Sequence, residues 1–230
     1  MRNLTNSLSR PFSVTTVLST MFTAIVFVTP AAAVEPMLGG ISLSYAPLIA
    51  GEINADGKDT EFENGSRYWV HFRDYYFQQQ KHHPFVELGV FYETHDTRTT
   101  NFSLDTESIA VDFSFGSAIP LFWMADESMV LGISPEIGAN IGSFSADINS
   151  SNGVTNQHSD DSAFRYGATA GINGWILMNQ SFSLGLGLIG SYWRATGITL
   201  DVPTATGTES RSTTPSGWDV ALRFTMGFLF

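Results

Sequence analysis

Arg73, Glu87, Asp112, Glu136, Arg165, Asp219 and Arg223 stand out in a chain that is poor in charge. Charged residues make up 14% of the sequence, against a usual value of about 25%. Each of the seven lies in a stretch where large apolar residues alternate with small ones, and each takes a place in the small-residue phase. Three arginines nearly balance four acids. Such a set can do one of two things. Paired as ions, the residues lock neighbouring strands together, because an unpaired charge removed from water costs several kcal/mol by the usual estimates. Strung along a water-filled lumen, they would carry protons or ions. A stabilising network is the expected use.

A second candidate is His95, with Glu93 two positions before it on the same side of a strand. Acyl hydrolysis needs a hydroxyl, an imidazole and an orienting acid. Ser108 or Ser103 could supply the hydroxyl. No His-x-Ser triplet occurs in a strand, and His158-Ser159 are adjacent in a polar segment. A structural or solvated histidine is therefore expected, with no catalytic site. His82 and His83 are adjacent, so on a strand they would point to opposite sides; they read as solvated turn residues. There is no Cys, hence no thiol nucleophile and no Cys-based zinc site. The acids of residues 52–63 and Asp147, Asp160 and Asp161 lack EF-hand spacing. No metal and no cofactor is expected.

The elements that must position these residues share one grammar. Alternation with the period of a strand runs through Ile41–Tyr45, Tyr68–Phe72, Val86–Tyr92, Ile109–Phe115, Met129–Ile141, Phe164–Ile176, Phe182–Tyr192 and Trp218–Phe230. The last is the clearest. Trp218, Val220, Leu222, Phe224, Met226, Phe228 and Phe230 share one face, predicted to meet lipid. Asp219, Ala221, Arg223, Thr225 and Gly227 share the other. Long polar connections at about 50–65, 97–104, 143–162 and 196–215 alternate with short ones at about 78–83, 118–127 and 177–180. An antiparallel meander with every long loop at one end gives that pattern. The spacing predicts an all-β, eight-stranded, antiparallel up-and-down transmembrane β-barrel.

Three features set it apart from a soluble barrel. The second phase is mostly Gly, Ser, Ala and Asn, which suit a narrow filled lumen. The charges in that phase nearly balance. Tyr68, Tyr92, Tyr166, Tyr192 and Trp218 fall at the loop end, and Tyr76, Trp123 and Phe230 at the turn end, as two aromatic girdles would. Pro135 interrupts a strand, and a bulge is expected there. Asp74 falls in the outward phase and is expected at the rim.

Met1–Ala33 has the form of a secretory signal: Arg2 and Arg10, then the apolar run Val14–Val28, Pro30, and Ala31-Ala32-Ala33. The barrel is expected to occupy 34–230. The formal charge of −11 argues against a nucleic-acid partner.

The signal, the strand grammar and the terminal Phe230 resemble the small outer-membrane β-barrel superfamily of Gram-negative bacteria, the OmpA-, OmpX- and opacity-protein-like barrels. The resemblance implies a monomer in the outer membrane, in contact with its lipids and with lipopolysaccharide. It implies that the last strand is read by the barrel-assembly machinery, and no further domain is expected after Phe230. The role it suggests is structural or a surface interaction through the extracellular loops. A narrow channel for small or apolar molecules and a lipid A-modifying hydrolase are the alternatives.

Overall fold

The computed structural model describes residues 38–55, 57–75, 83–99, 102–124, 129–151, 156–179, 181–204 and 207–230. The signal segment, Tyr76 and His82 lie outside them. Eleven strands follow in order: β1 (Leu38–Ala55), β2 (Lys58–Glu61), β3 (Asn64–Tyr75), β4 (His83–Thr99), β5 (Phe102–Trp123), β6 (Met129–Ser151), β7 (Asn156–Met178), β8 (Phe182–Ala195), β9 (Ile198–Thr204), β10 (Gly207–Thr213) and β11 (Ser216–Leu229).

Eight of them form a ring. Its sheet order is β11-β8-β7-β6-β5-β4-β3-β1, and β11 pairs again with β1 to close it. All pairings are antiparallel. The seam runs from Gly40 opposite Leu229 to Asn54 opposite Ser216, with one register shift between Leu48 and Ala50. At its end the Phe230 amide donates to the Gly39 carbonyl at 2.9 Å. β2 adds to the outer part of β1, and β9 and β10 form a hairpin of their own between β8 and β11.

The alternation sorts the side chains as the sequence predicts. Along β11, Trp218, Phe224, Met226, Phe228 and the following Phe230 are exposed, Val220 and Leu222 are half-buried, and Asp219, Ala221 and Arg223 between them are buried. The outward phase of the other strands is equally apolar, with Leu43, Val70, Leu88, Phe113, Ile137, Ile172 and Leu186 all exposed. Surface of that kind around a whole ring has no place in water and is suited to hydrocarbon. Tyr45, Tyr68 and Tyr92 stand opposite one another on β1, β3 and β4, and Tyr192 stands opposite Trp218. They form the loop-end girdle. Trp123 and Phe230 lie exposed at the turn end.

One local expectation is revised. Pro135 makes no bulge. It stays in register opposite Ile172 on β7, and the β5–β6 register is the same on either side of it. The ladder tolerates the missing amide as a local gap. The register shift lies instead between Pro120 and Phe122, near the turn end of β5. Asp74 is exposed near the end of β3, one residue before its last.

Within the predicted long connections the strands continue. β6 and β7 have 23 residues each, against the roughly 9–11 that a tilted strand needs to cross the hydrocarbon. They stay paired from Met129 opposite Met178 to Ser151 opposite Asn156. Most of 143–162, read from sequence as an irregular polar connection, is therefore ladder. The reason lies inside. Phe144, Ala146 and Ile148 turn inward and are buried with Ile53, Leu104, Trp193, Ala195 and Ile198. That apolar cluster caps the lumen at the loop end. A second cluster, Ala46, Trp69, Phe91, Ala110, Ile189 and Ala221, fills the lumen beneath it.

Candidate functional site

The interior charges form two layers, one on either side of the Trp69–Phe91 level. The layer nearer the loops contains Arg67, Glu93, Arg165 and Asp219, all at most 1% exposed. Arg67 on β3 donates through Nε to Glu93 Oε2 on β4, through Nη1 to Ser191 Oγ on β8, and through Nη2 to Asp219 Oδ1 and Oδ2 on β11 at 3.0 and 2.8 Å. Arg165 on β7 donates through Nη1 to Glu93 Oε1 and to Ser108 Oγ on β5, both at 2.8 Å. Two guanidiniums meet two carboxylates, and six strands of the ring are tied by one network. Aromatic faces complete the surroundings. The Arg67 Cζ lies 5.0 Å from the Trp69 ring centre, and the Arg165 Cζ lies 4.8 Å from that of Trp193. Contacts of this kind contribute most where water is excluded.

The layer nearer the turns contains Arg73, Glu87, Glu136 and Arg223, with His71. Arg73 Nε donates to Glu87 Oε2 at 2.6 Å, and Arg223 Nη1 donates to Glu136 Oε1. His71 Nδ1 lies 3.2 Å from Glu87 Oε1. The His71 ring sits over Gly89, where a Cβ would come within 2.2 Å of it. Only glycine leaves that space, so the glycines of the inward phase make room for side chains from the next strand. Satisfaction is poorer here. Glu136 Oε2, Arg223 Nε and Nη2, and both side-chain polar atoms of Asn140 are buried without a hydrogen-bond partner among the described residues. Asp112, between the layers on β5, is buried with Oδ1 in the same condition.

All seven charges singled out in the sequence thus face the lumen, but they do not form one set. Arg165 and Asp219 join the upper layer, Arg73, Glu87, Glu136 and Arg223 the lower, and Asp112 Oδ1 has no hydrogen-bond partner among the described residues. Arg67, the centre of the upper layer, was absent from the predicted network. The visible alternation began at Tyr68, one residue too late. Continuing the Trp69–His71–Arg73 phase back by one step would have found it.

His95 is buried and stacked under Phe62, with ring centres 4.2 Å apart and planes at 17°. Its Nε2 lies 3.2 Å from Glu93 Oε1, and its Nδ1 3.4 Å from Thr106 Oγ1. The hydroxyl at hand is thus Thr106, not Ser108 or Ser103. Ser108 accepts from Arg165, and Ser103 belongs to the opposite phase of β5 from buried Leu104 and Thr106. Hydroxyl, imidazole and carboxylate are neighbours, but His95 Nε2 makes no hydrogen bond among the described residues, Thr106 is 2% exposed and Phe62 covers the imidazole. Ligand atoms of Glu93, His95 and Asp219 lie within 4.8 Å of one another. Arg67 and Arg165 already neutralise both acids, so the group offers a metal cation no net attraction.

His83 is half-buried at the start of β4 and lines a cavity at the turn end, where the sequence suggested a solvated turn.

A closed eight-stranded ring, an ion-paired interior and an apolar outer belt edged with aromatics define a transmembrane β-barrel. The chain has the fold of a small, eight-stranded transmembrane barrel. No protein-family model and no curated protein matches it significantly. Among solved structures it is similar to a major outer membrane protein from Thermus thermophilus, with 13% identity and a TM-score of 0.47, covering 84% of this chain and 99% of that one. It is also similar to Neisserial surface protein A, with 10% identity and a TM-score of 0.39, covering 82% and 98%. OprG from Pseudomonas aeruginosa matches with 10% identity and a TM-score of 0.38, covering 84% and 95%. At these identities the likeness is one of fold.

Proposed function

We propose that the chain is a non-conducting outer-membrane barrel whose long-hairpin end is a surface for interaction. The observation that carries this reading is the closure of the lumen. The Arg67–Glu93–Arg165–Asp219 layer joins opposite walls, Trp69 and Phe91 fill the level beneath, and the Phe144–Ile148 cluster caps the top. Opening a path would separate fully buried ion pairs, each worth several kcal/mol when broken. The hairpins above the membrane present a polar, acidic outer face. Asp96, Asp105, Asp147 and Asp160 stand opposite one another on four adjacent strands.

In planar bilayers the purified barrel is expected to give no conductance steps above the lipid baseline; steady openings overturn the reading. A variant with 144–162 replaced by a two-residue turn is expected to insert normally, judged by its faster migration on unheated gels. In buffer containing Mg²⁺, which can bridge the acidic face to the anionic lipid, it should lose retention on lipopolysaccharide-coated beads. Unchanged retention would remove the loop end as the interacting surface. The hydrolase alternative draws on Thr106, His95 and Glu93, but their burial under Phe62 leaves no approach for an acyl chain. Deletion of the gene is expected to leave the lipid A mass spectrum unchanged.

A further inference from the structure

Beside the loop-end girdle the outward phase carries a cation. Arg194 on β8 is exposed and stands one outward position nearer the loops than Tyr192, which faces Trp218. Its cross-strand partners, Tyr166 on β7 and Ser216 on β11, are uncharged. In the lumen Arg67, Arg73, Arg165 and Arg223 are all ion-paired. Arg194 makes no ion pair or side-chain hydrogen bond among the described residues. Arg98, the other outward arginine of the ring strands, lies close to the far end of β4. An arginine next to belt aromatics stands at the depth of lipid headgroups.

Toward mid-membrane from Arg194 the belt is hollow. Across Ile41–Tyr45, Tyr68–Phe72, Val86–Tyr92, Ile109–Phe115 and Trp218–Phe228 the outward phase holds nothing smaller than valine. On β6, β7 and β8 four adjoining outward positions are Ala139, Ala168, Ala170 and Gly190, with Ala139 opposite Ala168 and Gly190 opposite Ala170. A Cβ placed on Gly190 would meet nothing nearer than 3.8 Å, so the groove is open there. Ile137, Ile141 and Tyr192 on its rim are 65%, 56% and 58% exposed, against 40–42% for Val70, Leu88 and Phe113 on β3, β4 and β5. Their flanks lack the large neighbours that the belt supplies elsewhere. Arg194 and Gly190 are four positions apart on one strand, about 13 Å along it. That is enough to pass from the headgroup layer into the hydrocarbon.

The groove alone names no occupant, but the charge above it does. Lipid phosphate is the anion at that depth, and a guanidinium meets phosphate with paired donors. We propose that the β6–β8 wall binds one anionic phospholipid of the bilayer, with its phosphate on Arg194 and an acyl chain in the groove over Ala168, Ala170 and Gly190. The site is separate from the acidic loop end and needs no divalent cation.

The test is native mass spectrometry of the full chain in a neutral detergent, with EDTA present to remove any Mg²⁺-bridged binding at the loop end. Phosphatidylglycerol is expected to bind saturably, one molecule to a barrel. Diacylglycerol with the same chains should bind more weakly, and glycerol 3-phosphate, a phosphate without chains, should not saturate. Arg194→Gln is expected to weaken phosphatidylglycerol binding about five-fold, the effect of one basic residue on an anionic lipid, and to leave diacylglycerol binding unchanged. Gly190→Leu, which fills the groove from outside and leaves the lumen untouched, should weaken both. Folding of each variant is checked by its migration on unheated gels. Equal affinity for the two lipids, saturable binding of glycerol 3-phosphate, undiminished phosphatidylglycerol binding in either folded variant, or a wild-type dimer that Gly190→Leu converts to monomer would overturn the proposal.

Discussion

In β6, Ile137 and Ile141 face outward while Glu136 and Asn140 face in. A few residues on in the same strand, Ser143 and Ser145 face outward while Phe144, Ala146 and Ile148 face in. β5 does the same. Phe115 and Phe113 point out and Asp112 in, whereas nearer the loops Glu107 and Asp105 point out and Leu104 in. The backbone ladder passes through this change without a break. The lower band obeys the rule for a barrel in lipid, with an apolar exterior and an ion-paired interior. The upper band obeys the rule for a barrel in water. The difference teaches that the solvent, not the strand, decides which phase is apolar. The Arg67–Glu93–Arg165–Asp219 layer lies where one rule gives way to the other.

Breaking that boundary should have the largest effect. Arg67→Leu leaves Asp219 buried without its guanidinium and is expected to cost about 3–5 kcal/mol, measured by urea unfolding in lipid vesicles. Phe144→Ala removes the centre of the upper core and is expected to cost about 3 kcal/mol. It should raise hydrogen exchange in the β6–β7 hairpin while leaving the membrane band protected. Lysine scanning along one face sharpens the comparison. Ile137→Lys should cost about 2–4 kcal/mol near mid-membrane. Ser145→Lys, eight residues on in the same phase, should stay within about 0.5 kcal/mol. Equal costs would mean that the band boundary is misplaced. The smallest effect is a gain. Asp105 stands between Asp96 and Asp147, and like charges directly opposite one another repel. Asp105→Asn should stabilise by a few tenths of a kcal/mol, with the gain shrinking as salt rises.

The lower band was legible in the sequence because only there does large-apolar alternate with small. The seven residues from Trp218 to Phe230 gave both the strand and its orientation. The upper band was not legible. Its outward Ser, Asp and Glu look like loop, and its inward residues, Leu104, Phe144 and Ile148, are too sparse to suggest a ladder. The division of the charges into two layers was also hidden. It depends on register, and register joins Arg67 to Asp219, 152 positions apart, through closure of the ring. His95 was visible as a residue, but its neighbour Thr106 lies across a β4–β5 pair that the alternation alone does not align.

The seam between β1 and β11 has a kinetic consequence. Its partners come from opposite ends of the described chain, so the ring can close only after every strand between them is available. Until then the growing sheet has two bare edges, each a template for pairing with any other strand. Contacts so distant in sequence form slowly. The barrel's most vulnerable moment is therefore the one before Gly40 meets Leu229. A helper that held either edge until the other arrived would speed assembly without touching the finished structure.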